Sequence, residues 1–251
     1  MTSPAPALDL TAGRPAPAFD HARRSTQTEV LDGRVDTEEL AKILADLARF
    51  NGAMMGHWPV IQWLNHAAKN LPKDTPLSLV DVGCGYGDLL RAVRRWARKH
   101  GRSMRLVGVD LSPQVIEVAR KATEPADEID FRASNVFDYQ PEKPIDFITT
   151  SLVTHHLPDA MIVQFLRWME RAARRGWVIY DLQRSAVPFY FIALAGVLMN
   201  LHPVVTYDGR VSVARSLTRK EWENAIAAAG IPVDSVSLGW FMFRFVIGRL
   251  R

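Results

Sequence analysis

The chain predicts an α/β fold: a seven-stranded, mostly parallel sheet with helices on both faces and an antiparallel hairpin at its C-terminal end. Three observations predict it. Short apolar runs alternate with amphipathic stretches between residues 77 and 230, the pattern of strands joined by crossover helices. A glycine-rich turn, Gly83-Cys84-Gly85-Tyr86-Gly87, follows the first apolar run and opens a helix. The last two apolar runs have only Gly239-Trp240 between them, too short for a crossover, so they must pair antiparallel.

Residues 1–35 are read as a disordered tail, because the Pro- and Ala-rich start buries too little apolar surface to offset ordering. It also lacks the basic start and apolar run of an export signal. Residues 36–72 are read as an N-terminal helical lid. Asp36 and Glu39 form a capping-box pattern ahead of Leu40, Ile43, Leu44, Leu47 and Phe50 at helical spacing. A second helix carries Trp58, Ile61, Trp63 and Leu64 and ends at Leu71-Pro72. The main domain, 73–251, then runs as strand Leu77 to Val82, glycine loop, helix Asp88 to Lys99 and strand Arg105 to Val109 with Asp110 at its end. Ser112-Pro113 caps the next helix. Strands follow at Ile129 to Ala133, Ile145 to Ser151 and Trp177 to Asp181, with a helix from Pro158 to Ala173 before the last of them. A capping box at Thr218 and Glu221 opens a helix that stops at Gly230, and strands Val233 to Leu238 and Phe241 to Gly248 end the chain.

Composition limits the function. The chain has 251 residues, 48% hydrophobic and 23% charged, which excludes wholesale disorder and fibrous classes. Cys84 is the single cysteine, so no internal disulfide forms. Against 27 acidic residues stand 31 Lys and Arg, a net charge of +4; this permits nucleic-acid or membrane contact without demanding either. No formal charge occurs between Arg184 and Asp208. Pro188, Asn200, His202 and Pro203 interrupt that stretch, so 185–207 is read as an apolar cap or lid helix rather than a transmembrane span, with peripheral membrane contact or a dimer interface as alternatives. Arg91, Arg94, Arg95 and Arg98 recur at helical spacing and are read as a solvated face. No cysteine and histidine cluster has metal-ligand spacing, and no metal is expected.

The glycine loop lies where open α/β sheets bind ligands, and Asp110 is placed to accept hydrogen bonds from ribose hydroxyls. A dinucleotide fingerprint would need glycine where Asp88 stands, and a carboxylate beside a pyrophosphate is repulsive. Asp81 and Asp88 instead suit a cation. With those residues in view, Val80 to Asp88 resembles motif I of the class I S-adenosylmethionine-dependent methyltransferases, Val109 to Pro113 their acidic loop, and Ile145 to Asp159 their motif IV segment. The resemblance extends from about Ala53 to the C-terminus and is nearest to the small-molecule enzymes of the ubiquinone and menaquinone type.

The resemblance implies a Rossmann-like sheet and S-adenosylmethionine as cofactor, with S-adenosylhomocysteine as product. It implies that Asp81, Gly83, Cys84 and Gly85 bracket the methionine part, Asp110 holds the ribose, Leu111 packs on the adenine, and Asn135 and Val136 meet the adenine edge. Thr150 and Ser151 would line the floor. His155 and His156, just past the fourth strand, are the candidate general bases, not separable from sequence. Arg184, Tyr190 and Tyr207 in and beside the cap are candidate substrate contacts, as are Asn51, Gly52, His57 and Trp58. The expected activity is methylation of a small aromatic or lipophilic metabolite, with oxygen favoured, by a cytoplasmic protein that is in contact with membrane at most peripherally. A nucleic-acid or protein methyltransferase, a nicotinamide oxidoreductase and a non-catalytic cofactor-binding protein are the alternatives. Thr150-Ser151-Leu152-Val153 departs from the Asn/Asp-Pro-Pro-Tyr run of amino-directed nucleic-acid enzymes, so nucleic acid is not expected as a partner.

Overall fold

The computed structural model describes residues 10–251. Seven strands form one sheet in the order β3-β2-β1-β4-β5-β7-β6: β1 Leu77–Val82, β2 Met104–Asp110, β3 Ile129–Ala133, β4 Ile145–Ser151, β5 Ala173–Leu182, β6 Ser237–Phe241 and β7 Arg244–Leu250. The first five are parallel, and β7 pairs antiparallel with both β5 and β6. β1 is buried along its whole length, as a sheet covered on both faces requires. Its side chains alternate between two cores. Val80 and Val82 meet α5 (Asp159–Ala172) and α8 (Arg219–Ala228) on one face; Leu77 and Leu79 meet α2 (Trp58–Ala68) and α3 (Asp88–Lys99) on the other. Strand order reverses between β1 and β4, which opens a crevice at their C-terminal ends.

The caps explain the element starts. Ser112 accepts from Val115 N at the start of α4 (Pro113–Lys121), and Thr218 and Glu221 form a reciprocal capping box on α8. Asp36 caps α1 (Thr37–Ala53) through Glu38 N and Glu39 N. The expected second half of that box does not form, because the Glu39 carboxylate bonds His202 Nε2 at 2.9 Å instead.

Four expectations are corrected. Residues 10–35 are not a loose tail but a strap folded onto the molecule: Val30 N and Leu31 N donate to the Asp208 carboxylate at 2.7 and 3.1 Å, and Val30 is buried. Residues 1–9 of the expected tail lie outside the described residues. The apolar stretch 185–207 is not one helix: α6 (Ala186–Leu198) packs against α7 (Pro203–Arg215). Pro188 fits within the first turn of α6 and Pro203 occupies the first position of α7, where a missing N–H costs nothing. The hairpin turns at Met242–Phe243, not at Gly239-Trp240, which lie inside β6; Met242 takes the positive φ of 53° there. Finally, Arg94 is buried, its guanidinium donating to the carbonyls of Met104, Asp127 and Glu128. No helix among the described residues is long and apolar enough to cross a membrane.

Candidate functional site

A cavity of about 130 Å³ opens at the C-terminal ends of β1 and β4. Gly83, Cys84, Gly85 and Tyr86 form one wall; Leu44, Leu47, Ala48 and Asn51 of α1 form another; His57, Asp88, Ser151, Leu152 and Arg244 close it. Two glycines are required by the loop's path. Gly83 has φ +67°, and a Cβ there would sit 2.2 Å from Val153 Cγ2. Gly85 has φ +50°, yet a Cβ there would meet nothing within 4 Å. The first is tight packing against the β4 turn; the second is a positive-φ backbone bordering the open cavity.

Three carboxylates surround that space. Asp110 accepts from Gly85 N at 3.2 Å through one oxygen and from Ser112 N at 3.0 Å through the other. Each oxygen keeps a lone pair, and Leu111 beside it is 74% exposed. Burial raises the Asp110 pKa despite those backbone bonds. Asp81 is fully enclosed, accepts from Thr149 Oγ1 at 2.9 Å, and is pushed up to about 8 by burial and by the neighbouring Asp88 and Asp110 charges. Asp88 is half-buried, which alone would raise it, but His57 Nε2 at 2.7 Å outweighs that and holds it below the ordinary carboxylate range. Burial and the same acids push the Cys84 thiol well up, so Cys84 is a neutral wall rather than a nucleophile.

Among the other cofactor candidates, Ser151 lines the cavity. Thr150 points its hydroxyl at Val82 O and is buried beneath it. Asn135 is exposed at the end of β3, its Oδ1 accepting from Phe137 N at 3.0 Å. Val136 packs against the main core. Leu152 takes φ +59° where β4 leaves the sheet, a strained backbone for a branched residue, held by its N–H bonding Tyr180 O at 2.9 Å.

The expected bases and cap contacts do not converge on the cavity. His155 is buried, with Nδ1 bonded to Asp181 Oδ1 at 2.7 Å; His156 Nδ1 faces Asp32 Oδ1 at 3.1 Å. Neither lines the cavity wall. Arg184 is 2% exposed and spent on Ser216 O, Glu221 and His21 O. Tyr190 is 64% exposed on the outside of α6, and Tyr207 Oη donates to Pro15 O in the strap. Of the lid candidates, Asn51 and His57 reach the cavity, whereas Gly52 does not line it and Trp58 packs tilted against Phe241.

Arg244 escaped the sequence reading. It is 6% exposed, donates to Asn51 Oδ1 at 2.7 Å, and lies over the Tyr180 ring at 5.2 Å. It also borders a second, apolar cleft of Phe50, Met54, Phe191, Ile192 and Phe243. In sequence it is one arginine opening a strand, with no local signal. Leu44, Leu47 and Ala48 read only as the apolar face of a helix.

A positive-φ glycine loop and three carboxylates, Asp81, Asp88 and Asp110, meet at the C-terminal crevice of the sheet, where open α/β sheets hold ligands. The family model described as a methyltransferase domain matches residues 79–176. The chain is 27% identical over 178 residues to demethylsterigmatocystin 6-O-methyltransferase of Emericella nidulans, covering 70% of this chain and 78% of the relative. It is 26% identical over 133 residues to demethylmenaquinone methyltransferase of Lysinibacillus sphaericus, covering 52% of this chain and 55% of the relative. In fold it is similar to magnesium protoporphyrin IX methyltransferase from Synechocystis PCC 6803, a structure with bound SAH, at a TM-score of 0.55 and 17% identity over 88% of this chain and 90% of that one. Residues 79–176 thus match a methyltransferase domain, on a fold similar to that of S-adenosylmethionine-dependent methyltransferases.

Proposed function

We propose that this enzyme methylates a small, aromatic or lipophilic metabolite, with oxygen as the favoured acceptor atom. The observation that carries the reading is the cavity's composition: apolar α1 side chains facing the glycine loop, with His57, Asn51 and Arg244 among the polar groups between them, beside Asp81, Asp88 and Ser151. A relative whose name specifies 6-O-methylation supports oxygen.

The residues present fit an adenosyl sulfonium. Asp110 would hold the ribose through the lone pairs left on both oxygens, and exposed Leu111 would cover the adenine. The open face of Gly85 leaves backbone room, and the charge of Asp81 would oppose the cationic end. When bound, S-adenosylmethionine supplies a methyl group on a positively charged leaving group. The chain's own part is orientation, water exclusion and proton handling. Leu44, Leu47 and Leu152 exclude water. Arg244, fixed by Asn51, would orient an acceptor oxygen and favour its anionic form. Tyr180, whose hydroxyl has no hydrogen bond of good geometry, lies on the same side. His57 is the better-placed base: it lines the cavity and is oriented by an ionised Asp88 through Nε2, which leaves Nδ1 to accept the acceptor's proton.

The test is transfer of label from methyl-labelled S-adenosylmethionine into a lipid-soluble metabolite extract. Label in a phenolic or enolic product supports the proposal. Label only in RNA or protein sinks it, and so does tight cofactor binding with no labelled species at all.

A further inference from the structure

We propose that Glu29, His155 and His156 form a binding site for one zinc(II) ion, which ties the N-terminal strap to the turn after β4. Glu29 lies in the strap, whereas His155 and His156 lie in the 3-10 turn Thr154–His156. His155 Nε2 is 3.7 Å from Glu29 Oε1, and His156 Nε2 is 3.7 Å from Glu29 Oε2. One ligand atom from each residue lies within 4.8 Å of the others. That spacing exceeds a hydrogen bond. It is near the ~3.4 Å that separates ligand atoms around a tetrahedral zinc with bonds of about 2.0–2.1 Å.

The surroundings of each imidazole favour the same reading. Nδ1 of His155 is held by Asp181 at 2.7 Å, and Nδ1 of His156 by Asp32 at 3.1 Å. A carboxylate at Nδ1 keeps the proton there and turns the lone pair of Nε2 outward, the arrangement that supports metal-binding histidines. Both lone pairs then face the Glu29 carboxyl group, each across 3.7 Å. Ser212 Oγ donates to Glu29 Oε1 at 2.9 Å and leaves Oε2 available. Arg215 Nη1 stands 3.6 Å from Glu29 but pairs more closely with Asp32, at 2.7 Å. Asp32 and Asp181 are held ionised against the two imidazoles, and a divalent ion would place positive charge opposite them. Two histidines and one carboxylate are an N,N,O set suited to zinc, with an open fourth position on the side where His156 is a third exposed.

The experiment uses the full chain stripped with a chelator. Zinc chloride is titrated calorimetrically, and cobalt(II) is added separately as a spectroscopic probe. The expected result is one equivalent bound per chain, a tetrahedral cobalt spectrum, and slower tryptic cleavage at Arg23, Arg24 and Arg34. His156→Ala and Glu29→Gln should each weaken zinc at least ~100-fold, and Asp32→Asn roughly 10-fold, while circular dichroism and cofactor affinity stay as in the parent. No saturable binding, or binding unchanged in His156→Ala, overturns the proposal. So does an octahedral cobalt spectrum insensitive to Glu29→Gln. If a variant loses its fold, a histidine-perturbation spectrum of the parent protein with zinc decides: shifts confined to His21, His66 or His100 count against the site.

Discussion

At the scale of single residues, the acids around the glycine loop are the proposed cofactor contacts, and their charge states would make binding depend on pH. Asp81 is raised to about 8 by burial and by two neighbouring carboxylates, so in the free protein it carries its proton through the neutral range. The folded state therefore holds a proton that the unfolded chain gives up near its ordinary value of 3.8. The resulting stabilisation is present below that value and is lost as pH rises through about 8. A bound cation favours the ionised form. Affinity for S-adenosylmethionine should accordingly rise with pH up to about 8, by at most ~10-fold per unit, with proton release in calorimetry. Asp81→Asn should flatten that slope. Asp110→Ala would remove the two proposed hydrogen-bond acceptors of the ribose, together worth about 3 kcal/mol. Its cofactor Kd should rise ~100-fold by calorimetry, and equal affinity would refute the ribose assignment. His57→Ala should lower kcat by ~10²–10⁴ with cofactor Kd nearly unchanged. An unaltered kcat would remove the base role.

At the scale of elements, the loops between strands and helices carry the site and the strand interiors carry the fold. β1, β4 and β5 are apolar runs whose continuity, together with the helix caps, was legible in order and type. Ser112 and Thr218 cap as their spacing implies. The capping box at Asp36 was legible only in half, because a partner distant in sequence, His202, takes the Glu39 carboxylate. Arg94 was read as solvated from its helical neighbours, yet the carbonyls that it caps come from β2 and from the turn before β3. Arg94→Ala leaves those carbonyls buried with fewer partners. It should cost about 2–4 kcal/mol in urea unfolding, well beyond a surface arginine. A loss under about 0.5 kcal/mol would show that water replaces the guanidinium.

At the scale of the whole molecule, the strap and the α6–α7 pair close one side of the sheet's C-terminal edge. α1, α6, α7 and strap residues Val30 and Val35 share a third core, so the cap belongs to the enzyme's body rather than lying over it as a separate lid. One face of α6 remains open through Val187, Tyr190, Leu194, Val197 and Leu198. Asp208 is the fastening point, accepting two strap amides. Asp208→Ala should expose Arg23, Arg24 and Arg34 to trypsin and lower Tm by several degrees, a loss of about 1–3 kcal/mol. Proteolysis at the parent rate would mean that the strap is held by its other contacts.

The sequence by itself determined the parallel sheet, the glycine loop and the acid that follows β2, because each is written in residues close along the chain and obeys local rules of period, turn and cap. It also offered Asn51, Gly52, His57 and Trp58 as candidates, of which Asn51 and His57 line the cavity. Only the tertiary structure decided which histidine meets the cavity, that Arg244 joins Asn51 across the site, and that Glu29 meets His155 and His156. Those pairings link residues far apart in sequence. No local pattern encodes which distant side chain will occupy the space left when β1, β4 and β5 bring their ends together.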